Sequence, residues 1–164
     1  MKTSERIAMA GVLCALAFGL SYIEMLIPFD FAIPGMKLGL ANAVVLVAMY
    51  KLKAADALAV NLVRVLLVGI LFGNPVALAF SVSGAILSFV VMYLLKKYTG
   101  MHITVISIAG ALAHIIGQLC VGLIFYNPTV LFYYSMFLLV AACISGLLLG
   151  IVAGKIIKSV KPGD

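Results

Sequence analysis

Charge is the first thing this chain is short of. Charged residues make up 10% of its 164 residues, against about a quarter in an average soluble domain. Acidic groups are scarcer still: Glu5, Glu24, Asp30, Asp56 and Asp164 are all there are. Tryptophan is absent. With 66% hydrophobic residues and a mean hydropathy of +1.30, the chain lacks the polar surface to wrap a core in water. A soluble domain is therefore excluded, and an all-α integral membrane protein is expected. Its length suits one transmembrane domain over residues 1–164, with about six helices of roughly 20 residues each.

Other absences narrow the chemistry. Cys14, Cys120 and Cys143 all fall in apolar runs with no CxxC or Cys/His spacing, so they read as small packing residues and no metal is expected. There is no GxxxxGK[ST] loop, so the chain does not hydrolyse ATP itself. No DDxxD pair is available to hold magnesium on a diphosphate, and no nucleophile, base and oxyanion stabiliser form a set. We therefore expect a protein that is not an enzyme and needs no cofactor. The net charge of +6 sits in short clusters between apolar runs, which argues against nucleic acid as a partner and for the lipid bilayer. The start, Lys2 and Arg6 before an apolar run and Ala15-Leu16-Ala17, has the look of a signal peptide, but an uncleaved first helix is the expectation.

What is present is punctuated by Pro, Gly and Lys. These predict six spans: Ile7 to Ile27, Leu38 to Tyr50, Ala55 to Phe72, Val76 to Leu95, Ile103 to Phe125 and Val130 to Ile157. With the N-terminus inside, nine of the eleven cations (Lys2, Arg6, Lys51, Lys53, Lys96, Lys97, Lys155, Lys158 and Lys161) fall on the inner side. That bias predicts that both termini are cytoplasmic. The second span, about 13 residues, would be only roughly 20 Å long, short of the roughly 30 Å hydrocarbon core. The Pro28–Met36 loop is therefore expected to dip inward and line a cavity open to the outside.

Polar residues within the apolar runs mark the candidate site. Arg64, near the middle of the third span, costs roughly 2.5–3.5 kcal/mol to insert, so it must face the bundle interior or water. Asn61 shares its face. Two readings stay open: a bidentate fork for an anionic group, or an ion pair with Glu24 or Asp30. Lys37, just after Pro34-Gly35, is the second cation expected to face the guest. His114 and Gln118, four residues apart on the fifth span, and Asn42, at the start of the second, are expected to hydrogen-bond it. Among the tyrosines at the outer ends of the last two spans, Tyr133 is a candidate to cap the cavity, although such residues normally anchor in the interface.

Two faces of the first span carry small residues: Gly11, Ala15 and Gly19 on one, and Ala10, Cys14, Ala17 and Ser21, running to Glu24, on the other. The sixth span has Ala142, Gly146, Gly150 and Gly154 at the same spacing. Such stripes let helices approach closely, either within the bundle or against a partner.

Three patches then look familiar together: ExxxP followed by PGMKLGLAN from Glu24 to Asn42, LVRVLLVGILFGN from Leu62 to Asn74, and HIIGQ (His114 to Gln118) with FYY (Phe132 to Tyr134). They resemble the Gx transporter family, also labelled heptaprenyl diphosphate synthase component I. In size, span count and small-residue first helix the chain also resembles the substrate-binding S components of energy-coupling factor (ECF) transporters. This likeness implies an S-component-like bundle in a bacterial-type plasma membrane. Such a bundle would bind a vitamin-like nutrient near the outer face and dock on a transmembrane coupling protein driven by two ATPases. Docking would use Gly11, Ala15 and Gly19, or Ala10, Cys14 and Ala17. The expected function is uptake of a small anionic solute. The alternative is a non-catalytic membrane subunit in isoprenoid or quinone metabolism. Prenyl transfer itself needs acidic clusters for magnesium and diphosphate, and the chain has none.

Overall fold

A computed structural model describes residues 2–26, 37 and 39–159. Its described residues form six α-helices: α1 (Thr3–Leu26), α2 (Asn42–Lys51), α3 (Ala54–Phe72), α4 (Pro75–Tyr98), α5 (Ile103–Phe125) and α6 (Pro128–Ser159). Five of these, all but α2, are long and apolar enough to cross a membrane. The boundaries follow local chemistry. Pro75 and Pro128 each open a helix, where the missing N–H would have no partner anyway. The Asn74 side chain caps α4 by accepting from the Ala77 N–H at 2.8 Å, and Asn127 Oδ1 accepts from the Thr129 N–H at 2.9 Å.

The second helix departs most from expectation. It begins at Asn42 rather than Leu38 and has ten residues, or about 15 Å at 1.5 Å per residue. That is about half the hydrocarbon thickness. Every residue from Asn42 to Met49 is buried, so no face of α2 is left for lipid. A helix apolar on all sides belongs inside a bundle, and α2 touches all five other helices. Around it the remaining helices form an arc in the order α1, α3, α4, α5, α6, each packed on the next. Among the described residues α1 makes no contact with α6, so the arc is open there. The crevice at that opening is wholly apolar, with Leu13, Leu16 and Leu20 on one wall, Leu149, Val152 and Ile156 on the other, and Ala43, Val44 and Val47 as its floor. The Pro28–Met36 segment and Asp30 lie outside the described residues.

Lipid tails are as apolar as leucine, so packing between helices depends on close approach rather than on hydrophobic exclusion. The glycines show where that approach occurs. A Cβ on Gly146 would lie 2.8 Å from the Ile108 Cα, and one on Gly150 would lie 2.8 Å from the Thr104 Cα. Gly146 and Gly150 of the small stripe of α6 are thus taken up against α5, whereas a Cβ on Gly154 would meet nothing within 4 Å. Gly117 is tighter still, since a Cβ there would meet the Ser83 carbonyl at 2.6 Å. On α1 the two small faces separate. Ala17 is fully buried, and Ala10 and Cys14 pack against the core around α2. Ala15, by contrast, is exposed, and a Cβ added to Gly11 or Gly19 would meet nothing within 4 Å.

Two of the remaining cations fasten helix ends. Arg6 Nε is 3.2 Å from Asp56 Oδ2, joining the starts of α1 and α3. The Lys96 ammonium donates to the Met49 carbonyl and lies 4.6 Å from the Tyr50 ring centre, joining the ends of α4 and α2. Gly117→Ala is expected to destabilise the bundle by about 1–3 kcal/mol through overpacking. Gly11→Ala should change stability by less than about 0.5 kcal/mol, as for an open surface position. Thermal unfolding of both variants in one detergent checks the contrast, and an equal response would contradict this account of α4–α5 packing.

Candidate buried polar site

Where α2 stops, the polar residues begin. Arg64, on the inner face of α3, is 5% exposed. Its Nη1 donates to Ser21 Oγ on α1 at 3.1 Å, and its Nη2 donates to Asn42 Oδ1 on α2 at 3.2 Å and to Asn61 Oδ1 on α3 at 2.8 Å. Asn61 passes the connection on, its Nδ2 donating to the Ala85 carbonyl of α4 at 3.0 Å. One guanidinium and one amide therefore tie four helices together. Inside a membrane each of these bonds matters, because an unpaired polar group there finds no water.

The fork expected for a bidentate anion contact is largely spent in this way. Nη2 has given both its protons, and Nε is the guanidinium nitrogen without a partner among the described residues. Arg64 does not pair with Glu24 either. The Glu24 carboxylate, on the last turn of α1, accepts from the backbone N–H of Gly39 and, at 3.3 Å, from that of Leu40. These amides lead into the N-terminus of α2, where a negative charge is favoured by the helix dipole. Asp30, the other candidate partner, lies outside the described residues.

The short stretch before α2 is stitched from a second side. Gln118 Oε1, on α5, accepts from the Lys37 backbone N–H at 3.2 Å. Only the amide oxygen can accept that bond, so its NH2 group faces His114 Nε2, 3.2 Å away. An NH2 group donates, so His114 Nε2 must present its lone pair and the ring proton resides on Nδ1. His114 is thus the neutral tautomer in this arrangement. Gly39 permits the stitch: its φ is +84°, and a Cβ would lie 2.7 Å from Asn42 Nδ2 and 3.2 Å from the His114 ring.

These elements enclose a hollow lined by Ser21, Glu24, Lys37, Arg64, Ser81 and His114, with Val65 and Val68 as its apolar part. The space between them is narrow and admits little more than one water molecule. Of the residues singled out in the sequence, Glu24, Lys37, Arg64 and His114 meet here. Asn42, Asn61 and Gln118 stand behind them; Asn61 and Gln118 are fully buried with both polar ends engaged. Tyr133 is 73% exposed on α6, with its ring against Phe132, and does not reach the hollow. Ser21 and Ser81 line it although the sequence marked neither as a site residue. Ser21 could have been found as the residue three before Glu24 on the same helix face. Ser81 carried no signal beyond an ordinary helical serine.

The fold and this cluster define a polytopic helical membrane protein with a buried, charged hollow beside a short central helix. The model of the family described as heptaprenyl diphosphate synthase component I matches residues 13–156, and the chain belongs to that family. No curated protein and no solved structure matches it.

If Gln118 fixes the backbone at Lys37, Gln118→Leu should speed amide hydrogen exchange at Lys37 by about tenfold, the worth of one hydrogen bond. The Gly39 amide, held by Glu24, should stay protected. Residue-resolved exchange of the detergent-solubilised protein checks this; unchanged protection at Lys37 would remove Gln118 from that role.

Proposed function

We propose that this protein is the membrane-embedded, solute-binding subunit of an uptake system for a small anionic nutrient. The observation that carries the reading is the convergence of Arg64, Lys37, His114 and Glu24 from four separate elements on one hollow in an otherwise apolar bundle. Buried charge in a membrane is costly, and a cluster of it at mid-depth is the mark of a solute site rather than of packing alone. The hollow as it stands is too narrow for a guest larger than water, so its walls must part to admit one.

In this reading all six helices count as the transmembrane fold and the cationic end faces the cytoplasm of a bacterial-type cell. The half of the bundle above α2 then opens outward. With no ATP-binding loop in the chain, energy comes from a separate module: a transmembrane coupling protein carrying two ATPases, as for the ECF S components. Its docking surface is the Gly11, Ala15 and Gly19 face of α1, which is open. Ala10, Cys14 and Ala17 are set aside for this role because they pack toward α2 and α3.

A second reading follows from the family's name and from the apolar crevice between α1 and α6. A non-catalytic subunit of isoprenoid metabolism would hold a hydrocarbon chain there, on the floor of α2. The two readings place their guests at different depths and in different chemistry. Native mass spectrometry of the purified protein separates them. A retained water-soluble anion, lost in Lys37→Ala but kept in Val47→Phe, is the expected result. A retained hydrocarbon chain, lost in Val47→Phe but kept in Lys37→Ala, would replace the first reading with the second.

A further inference from the structure

The inner face of α3 changes character at Arg64. Its buried residues run Ala57, Val60, Asn61, Arg64, Val65 and Val68. The first two, Ala57 and Val60, pack into the apolar cluster around α2. Val65 and Val68 are as deeply buried as Val60, at 3% and 2% exposed. Yet they belong neither to that cluster nor to the one shared by α4, α5 and α6. They line the polar hollow instead. Resting on the solute-binding reading above, we infer that the guest is an organic anion with a hydrocarbon body joined directly to its charged head, and that Val65 and Val68 are the residues that read that body.

The polar head of such a guest has its donors in place. Arg64 is buried, and its Nε has no partner among the described residues. Its Nη1 donates to Ser21 Oγ at 3.1 Å and keeps a second proton. Ser21 accepts that bond, so its own hydroxyl proton is left to donate. A carboxylate offers two oxygens to such charged and hydroxyl donors. The apolar body follows from helix geometry. Val65 is the next residue along α3, and Val68 lies four residues after Arg64, about 6 Å along the axis at 1.5 Å per residue. All three sit on one helix, so their spacing stays fixed when other walls part to admit a guest. A head held at Arg64 therefore brings the next few carbons of the body against the two valines. A bare inorganic anion would leave that surface uncovered. A guest with a second polar group this close to its head would bury it against valine without a partner, which costs binding. Each methylene that leaves water for the valine wall is worth about fourfold in affinity.

Arg6 and Arg64 are the two arginines of the chain, so Arg6→Lys, which keeps a cation beside Asp56, leaves one guanidinium to observe. The experiment follows the Arg64 ¹⁵Nε–H signal by NMR of the detergent-solubilised protein during titration with formate, acetate, propionate and butyrate at matched ionic strength. All four are expected to shift the signal saturably, with binding tighter by about fourfold for each added carbon. Longer acids also partition into detergent, equally for every variant, so a comparison with Val68→Thr isolates the wall. That variant keeps the shape of the side chain and puts a hydroxyl on the wall. It is expected to weaken butyrate by at least about fourfold and to leave formate unchanged. Should Val68→Thr fail to fold, Val65→Thr serves in its place. Formate binding as tightly as butyrate, or a butyrate affinity unmoved in the folded valine variant, overturns the inference and leaves an anion site standing. A signal that none of the four acids moves overturns the anion site itself, and this inference with it.

Discussion

The structure turns on the hydrogen bonds of one guanidinium. Arg64 must be buried, because its helix crosses the apolar layer, and once buried its donors must be met. Ser21, Asn42 and Asn61 meet them, and each belongs to a different stretch of chain. Asn42 is the first residue of α2, so the guanidinium is tied to the very start of the central helix. Below that level α2 fills the middle of the arc with aliphatic side chains; above it the middle is polar and partly empty. The hollow is thus the consequence of a helix half as long as the bundle it supports.

The same economy explains the loop end before α2. A backbone segment at this depth has amides with no helical partners, and the protein supplies two side chains from opposite walls, Glu24 and Gln118, to receive them. A carboxylate and an amide that look in the sequence like ligand-binding groups are therefore also structural fasteners.

Much of this was legible in the chain. The membrane class follows from composition alone, and helix edges at Phe72 and Phe125 fall where Gly73-Asn74-Pro75 and Asn127-Pro128 place them. Arg64, Glu24, Lys37 and His114 announce themselves because charge and imidazole are rare in such sequence. The start of α2 was less visible. Leu38, Gly39, Leu40 and Ala41 continue an apolar run, and nothing in their hydropathy says that a positive φ at Gly39 delays the helix to Asn42. Nor could composition show that the polar ends of Asn61 and Gln118 face neighbours rather than a guest, since hydrogen-bond direction depends on tertiary position. Tyr133 misled for the reverse reason: an aromatic near a helix end carries the same signature whether it turns inward or toward lipid.

The missing contact between α1 and α6 among the described residues has a mechanical meaning. A closed ring of helices resists any change in its girth, because widening one joint strains every other. A split hoop does not. Its free limb, α1, packs on α2 and α3, and it carries Ser21 and Glu24 at its far end. Swinging that limb outward lengthens the bonds that hold the guanidinium and the loop while leaving the α4–α5–α6 block untouched. Such a swing would break no α1–α6 contact among the described residues, and it would unlock the polar interior.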